Sequence, residues 1–319
     1  MITKISVTVP VYNEEKTILP LYEKLVDVFK GLNYQYEIII VNDGSRDRSR
    51  AEAVRIAVSD KRVKVINFKR NFGQTAAMMA GFEYATGDVI IPMDGDLQND
   101  PTDIPRLIEK IEEGYDVCSG WRNNRKDSPL RRNLVSRVAN KIISIISGVK
   151  LKDYGCTLKA YHKNVVKGVR LYGEMHRFIP IYASWEGAKI AEIPVKHNPR
   201  KYGKSNYGLE RTVKVILDLL VITFLDNYAQ KPIYVFGGFG ILSFLSSFGF
   251  FGYACYLKYY KGISFILTPL PLISTMTFVT GVMCVLMGLL AEMIMRTYYE
   301  SQKKKVFLID DTHNIGVDE

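Results

Sequence analysis

Cysteine is sparse in this chain of 319 residues, and Cys118, Cys156, Cys255 and Cys284 form no close pair. That spacing excludes a zinc cluster and gives no disulfide framework, so a reducing compartment is expected. A glycine-rich phosphate loop of the Walker or dinucleotide type is missing too, which excludes those two ways of cradling a nucleotide. No Ser-His-Asp set, nucleophilic cysteine, internal repeat or long low-complexity tract is evident. His176 and His197 are assigned no chemistry. The opening residues Ile2 to Val11 are short, alternating and interrupted by Pro10, so they read as a first strand and not as a secretory signal. The catalytic part is therefore expected in the cytoplasm.

What is present is unevenly spread. The net charge is +10 and 47% of residues are hydrophobic, but the apolar residues concentrate in two blocks from about Pro232 onward. The length allows a soluble domain plus a membrane part. The basic excess suits an anionic partner: a nucleotide, a phosphorylated lipid, nucleic acid or an anionic membrane face. Composition does not choose among them.

The chain is organised around Gly87 to Pro101. Val89 to Met93 is an apolar run of strand length, followed at once by Asp94, Gly95, Asp96 and, after Leu97, the amide of Gln98. Carboxylates at the end of a strand lie where α/β proteins put ligands. Two hard oxygen donors around Gly95 can hold one Mg2+ or Mn2+ and leave places for water and phosphate. The alternative is a solvated Asp-Gly turn.

Earlier strands repeat the arrangement. Ile5 to Val11 leads into Tyr12, Asn13 and Glu14, then a helix marked by Ile18, Leu21, Leu25 and Phe29; Tyr36 to Val41 leads into Asn42, Asp43, Gly44 and Ser45. Ser45 is expected to cap a helix from Arg46 to Ser59. Val63 to Phe68 is a third strand, the basic turn Lys69 to Gln74 follows it, and Thr75 to Tyr84 is helical. Strands alternating with helices predict a mostly parallel α/β sheet with helices on both faces. Acids at successive strand ends would then meet along one edge, although each alone is a common cap or turn residue.

Beyond Pro101 a helix (Thr102 to Glu113) and a strand (Tyr115 to Gly120) precede a basic stretch that includes Arg122, Arg132 and Arg137. Pro129 opens a predicted helix to about Ser147, on which Arg132 and Ser136 share a face. This is either a solvated basic face or a phosphate clamp. Lys189 to His197 reads as a strand, and Pro199 to Gly208 as a basic, glycine-punctuated loop able to close over phosphates. Leu209 to Tyr228 is amphipathic and suits a membrane surface. Ile233 to Leu257 and a second run from about Pro269 or Leu272 to Met293 are long enough to span a bilayer, with Ser243 and Ser247 permitting close helix contact or self-association. Basic residues flank the outer ends, which places both termini in the cytoplasm. The expected division is a catalytic domain over 1–208, an interfacial helix over 209–231, a two-helix hairpin over 232–296 and a tail over 297–319.

The segments Val9 to Glu15, Val41 to Ser45, Asp94 to Gln98 and Arg200 to Ser205, with the two-helix end, resemble the membrane-associated polyprenyl-phosphate glycosyltransferases of glycosyltransferase family 2. These include dolichyl-phosphate mannose synthases, bactoprenol glucosyltransferases and aminoarabinose transferases. The resemblance implies a Rossmann-like domain of the glycosyltransferase A type that binds a nucleotide sugar. By the same resemblance, Pro10, Tyr12, Glu14, Val41 and Asp43 would hold the nucleoside, with Asp94 and Gly95 beside the ribose and metal. Asp96 and Gln98 would bind Mg2+ or Mn2+, Arg200 and Lys204 would reach the donor diphosphate, and Arg122, Arg132 and Ser136 would hold the lipid phosphate. Asp153 falls in the family's acidic segment near the acceptor, as a catalytic candidate beside Asp96 and Arg200. Cys156-Thr157 stands where some bacterial members have Gly-Asp, so an acid there is not an obligatory base. The implied partners are a nucleotide sugar, a polyprenyl phosphate and a membrane, with no nucleic acid. The sequence leaves two other readings: a polysaccharide or glycolipid synthase of the same fold, and a non-catalytic membrane partner that binds nucleotide sugar.

Overall fold

The protein, seen here as a computed structural model, is described over residues 2–122, 143–144, 147–167, 175–199, 233–301 and 307–315. The expected helix after Pro129, the interfacial stretch 209–231, and Arg132, Ser136, Arg200 and Lys204 lie outside the described residues. The chain forms two compact units, Met1–Leu219 with Lys305–Glu319, and Leu220–Lys304.

The first unit is built on an eight-stranded sheet of order β7-β5-β6-β4-β1-β2-β3-β8. Its strands are β1 (Lys4–Val11), β2 (Gln35–Asn42), β3 (Val63–Phe68), β4 (Val89–Pro92), β5 (Val117–Arg122), β6 (Lys159–His162), β7 (Ile190–Val195) and β8 (Ile309–His313). β1 pairs in parallel with β2 and β4, β2 with β3, and β5 with β7, whereas β6 and β8 run antiparallel to their neighbours. Alternation along the strands divides the interior. Ile5, Val7, Val9 and Val11 of β1 and Ile38 and Ile40 of β2 join one core with Leu21, Leu25 and Phe29 of α1 (Ile18–Lys30), Ile56 of α2 (Ser49–Ser59) and Leu107, Ile108 and Ile111 of α4 (Ile104–Glu112). Each of these buried apolar side chains contributes roughly 2 kcal/mol through loss of water contact. The other face of β1 carries Ser6 and Thr8, and there α3 (Gln74–Tyr84) comes close enough that a Cβ on Gly81 would lie 2.9 Å from Thr8.

Two strands escape the local pattern. β6 carries Lys159, whose residue is 2% exposed and whose ammonium is satisfied by the backbone carbonyls of Tyr154 and Cys156. A buried lysine in a four-residue strand hides the apolar run that would mark it. β8 is acidic, and it is held on the sheet by Arg50, which pairs with Asp310 and Asp311, and by Asn314, whose amide donates to the Val63 carbonyl. The expected cap at Ser45 is also replaced. α2 starts at Ser49, and Ser45 Oγ instead accepts from the Asn13 N–H at 3.0 Å.

The second unit is a hairpin of two long helices, Ile233–Lys261 and Leu270–Ser301. The stretches Val235–Lys261 and Leu270–Ala291 have mean hydropathies of 1.6 and 2.0 and are long and apolar enough to cross a membrane. Leu242, Leu245 and Phe248 on one helix and Leu272, Met276 and Leu286 on the other turn outward. The helices meet through small residues. Ser247 Oγ donates to the Ser274 carbonyl at 2.8 Å and Ser274 Oγ to the Ser247 carbonyl at 3.0 Å, while a Cβ on Gly240 would lie 3.2 Å from the Gly281 carbonyl oxygen. Ser247 thus makes the close helix contact within the hairpin.

Candidate functional site

The chain runs from β1 outward to β2 and β3 and returns on the other side of β1 as β4. The crevice where the winding reverses, at the carboxyl ends of β1 and β4, is the ligand position of an open α/β sheet. The Asp94-Gly95-Asp96 turn lies there. Gly95 passes so close beneath β1 that a Cβ would sit 2.9 Å from Val11 and 3.3 Å from the Pro10 carbonyl oxygen. Glycine is therefore the residue that lets both aspartates leave the end of β4. Leu97 adopts a positive φ of 62°, and the Gln98 N–H closes back on Asp96 Oδ1 at 3.0 Å.

Asp94 is oriented by two side chains from different elements. Gln74 Nε2, at the start of α3, donates to Oδ1 at 2.7 Å, and Thr157 Oγ1, ahead of β6, donates to Oδ2 at 2.8 Å. Burial pushes the Asp94 carboxyl up, and the like charge of Asp96 adds to this against the Thr157 bond and the positive charge of Arg122 and Arg177. Two neighbouring carboxylates that repel each other fit a divalent cation, which would relieve that repulsion. Among the described residues no group of three or more His, Cys, Asp or Glu converges on a point. A cation on Asp94, Asp96 and the Gln98 amide would take its other ligands from water and phosphate oxygens.

Asp43, past the end of β2, is only 3% exposed. It accepts from the Phe72 N–H at 2.6 Å, the Gly73 N–H at 2.9 Å and Asn71 Nδ2 at 2.9 Å. Burial raises its carboxyl while the two backbone donors pull the other way. Asp43 thus folds the 69–74 turn around itself and keeps about one lone-pair site of its roughly four. Gly44, at φ 65°, lies against the backbone of that turn, where a Cβ would be 2.6 Å from the Asn71 nitrogen. Val41 is fully buried, while Tyr12 is 40% exposed at the rim. Glu14 holds the start of α1: its carboxylate accepts from Thr17 Oγ1 at 3.0 Å, and its N–H donates to Ser49 Oγ at 2.7 Å.

On the other flank Arg122, the last residue of β5, forms a fork with Asp153, Nε to Oδ2 at 2.6 Å and Nη2 to Oδ1 at 2.9 Å. The Gly155 N–H also donates to Oδ1 at 3.1 Å. Asp153 is 4% exposed, so its lone pairs are engaged in holding the guanidinium. Cys156 is buried, which pushes its thiol up to about 11 and leaves it inert as a nucleophile. His176, assigned no chemistry from sequence, sits in the wall with Nδ1 2.7 Å from Thr75 Oγ1. The chain beyond β7 is tied to the acidic turn by the Asn198 N–H, 2.8 Å from the Gln98 carbonyl. That bond holds Asn198 beside the acidic turn. Sequence reasoning placed Asn71, Gln74, Thr157 and Arg177 in their segments without giving them roles. The signal available was their position at strand ends or helix starts along this same edge.

An open, largely parallel sheet with acidic groups gathered at its switch point defines a nucleotide-binding domain of the glycosyltransferase A type. The chain belongs to Glycosyl transferase family 2, whose profile matches residues 6–170. It is 38% identical over 310 residues to a dodecaprenyl-phosphate galacturonate synthase of Rhizobium johnstonii, covering 96% of this chain and 92% of that protein. It is also 38% identical over 311 residues to an undecaprenyl-phosphate 4-deoxy-4-formamido-L-arabinose transferase of Shewanella sediminis, covering 96% and 92%. Among solved structures, the glucosyl-3-phosphoglycerate synthase of Mycobacterium tuberculosis in complex with Mn2+, UDP and glucosyl-3-phosphoglycerate superposes with a TM-score of 0.54 at 17% identity, over 70% of this chain and 79% of that one. At that identity the likeness speaks to the fold.

Proposed function

We propose that this glycosyltransferase moves a sugar, with inversion, from a nucleotide sugar to a polyprenyl phosphate at the cytoplasmic face of a membrane. The observation that carries the reading is the Asp94–Asp96 turn, oriented by Gln74 and Thr157 in the switch-point crevice and flanked by Asp43 on one side and the Arg122–Asp153 fork on the other. The relatives that span nearly the whole chain are named for sugar transfer to dodecaprenyl and undecaprenyl phosphate. The exposed apolar flanks of the two long helices supply a membrane anchor. Because β8 lies in the same sheet as β1 to β7, the chain leaves this domain into the hairpin and comes back to it, which supports both termini being on the domain's side.

The chemistry follows from charge. A phosphate monoester has a second pKa near 6, so the lipid phosphate is already largely ionised at neutral pH and needs placing more than deprotonation. Arg122, aimed by Asp153, offers a planar fork to that phosphate, joined by Arg132 and Ser136. Asp153 therefore acts through Arg122 and takes no proton. One phosphate oxygen attacks the anomeric carbon as its bond to the nucleoside diphosphate breaks, and the configuration at that carbon inverts. Tyr12, Asp43 and the 69–74 turn border the nucleoside, and Pro10 and Val41 shape the floor beneath it. Asp94, Asp96 and Gln98 would hold a divalent ion, which would supply charge stabilisation for the departing diphosphate, and Arg200 with Lys204 would reach the same group.

The test is to incubate the protein in undecaprenyl-phosphate-containing membranes with UDP- and GDP-sugars, uronic acids and amino sugars among them, and to analyse the lipid fraction by mass spectrometry. A metal-dependent sugar-phosphate lipid is expected. No product from any donor, beside an active control enzyme, would overturn the proposal.

A further inference from the structure

We infer that the carboxyl-terminal segment is a positioning element for the nucleotide rim, acting through Phe307, which lies just ahead of β8. The inference rests on the reading that Asp43 and its turn border the nucleoside, and it adds a part of the chain remote in sequence from that site. Phe307 is 3% exposed and stacks on Phe68, the last residue of β3, with ring centroids 5.1 Å apart and planes at 14°. Phe68 in turn meets Phe72 edge-on, at 5.7 Å and 89°. The Phe72 N–H is the 2.6 Å donor to Asp43. Three aromatic rings thus connect the tail to the turn that shapes the Asp43 carboxylate, in the geometries aromatic pairs favour.

Backbone bonds run along the same route. The Lys69 N–H donates to the Leu308 carbonyl at 3.1 Å, so the tail fixes the first residue of the turn as well as the strand before it. The β3–β8 pairing shifts register between Asn67 and Phe68, which lets the tail follow the chain where it bends into the turn. At the far end of the turn, Gln74 donates to Asp94. Removing the Phe307 ring would leave Phe68 packed on one side only, and the turn would lose the support that holds its amides toward Asp43. The strand's remaining anchors, Arg50 to Asp310 and Asp311 and Asn314 to Val63, lie farther along and keep β8 on the sheet.

The test uses the full-length protein in lipid nanodiscs, with Phe307→Ala, the shape-retaining Phe307→Tyr and, should the alanine variant not fold, Phe307→Leu. Hydrogen exchange of the Phe72 and Gly73 amides is read first, because it needs no substrate: exchange about tenfold faster in Phe307→Ala, restored in Phe307→Tyr, with β2 amides unchanged, is the expected result. In the same variants the KM for the sugar donor and the Kd for UDP or GDP with Mn2+ should rise about three- to tenfold while the KM for polyprenyl phosphate stays put. Unchanged exchange at Phe72 and Gly73 in a folded variant would overturn the inference, as would donor and acceptor KM rising together. If the wild-type protein neither transfers sugar nor binds either nucleotide, the functional reading fails, and the exchange result still decides whether the tail holds the turn.

Discussion

The two edges of the sheet treat buried carboxylates in opposite ways. At the amino ends of the strands, Glu37 is 2% exposed, yet it is ringed by Lys4 at 3.0 Å, Lys64 at 2.9 Å, Ser6 Oγ at 2.6 Å and the Thr86 N–H at 2.7 Å. Burial alone would raise its carboxyl, but these partners outweigh that and hold it at about 2. Asp88 on the same edge is likewise held down, by the Thr3 N–H and Lys163. At the carboxyl ends Asp43 and Asp94 are pushed up by burial. Neutral donors orient them, and at Asp94 the positive charge of Arg122 and Arg177 does not outweigh burial and the like charge of Asp96. One edge is a closed electrostatic joint. The other holds carboxylates whose charged form is disfavoured, as functional sites often do.

That contrast breaks first, and most strongly, at Asp96. Replacing it with alanine removes one of the two carboxylates proposed to hold the cation without opening the core. We expect transfer to fall by roughly a hundred- to a thousandfold, the scale of losing a main stabiliser of leaving-group charge, with little change in melting temperature. A variant that kept full activity would show that the acidic turn is not the reacting edge.

The joint at the other edge should respond in the reverse sense. Glu37→Gln keeps the shape but leaves Lys4 and Lys64 without their shared anion. We expect about 3 kcal/mol of lost stability, from a shift of roughly two and a half pKa units, and an unchanged kcat at temperatures where the variant is folded. Because the folded carboxyl titrates below its unfolded value of 4.5, this stabilisation is complete above that pH and is lost as pH falls toward about 2. An acid unfolding series of wild type and Glu37→Gln should converge across that window. Parallel curves would show that Glu37 is not the group responsible.

A smaller effect is expected at the fork. Arg122→Lys keeps the charge and loses the planar pair of donors to Asp153, so the KM for polyprenyl phosphate should rise about tenfold with the donor KM unchanged. A rise confined to the donor KM would move Arg122 to the nucleotide side.

Much of this was readable from the chain because it is local. Val89 to Met93 followed by two aspartates marks a strand and its tip, Ile233 to Leu257 marks a long helix by length and apolarity, and the first four strands alternate with helices as parallel pairing requires. What stayed hidden depends on partners far away in sequence. Ser45 looks like a cap until the structure shows Asn13 taking its hydroxyl. Asp153 looks like a free acid until Arg122 closes on it. Ile309–His313 has no strand pattern of its own, because β3 and Arg50 supply what makes it a strand. Lys159 argues against a buried strand because nothing in a sequence window reveals the carbonyls that receive its ammonium.

Thr157 gives the finest test of the difference between the edges. Its hydroxyl is 2.8 Å from Asp94 Oδ2, a bond that favours the charged carboxylate against burial. Thr157→Val preserves the shape and removes the donor, so Asp94 keeps only the Gln74 amide to orient it. The loss of one such bond is about 1 kcal/mol, so kcat should fall roughly fivefold while Thr157→Ser stays near wild type. If Thr157 merely filled space, valine would serve as well as threonine and serine would be the poorer of the two. The ranking of the two substitutions therefore separates a residue that aims the acidic turn from one that packs beneath it.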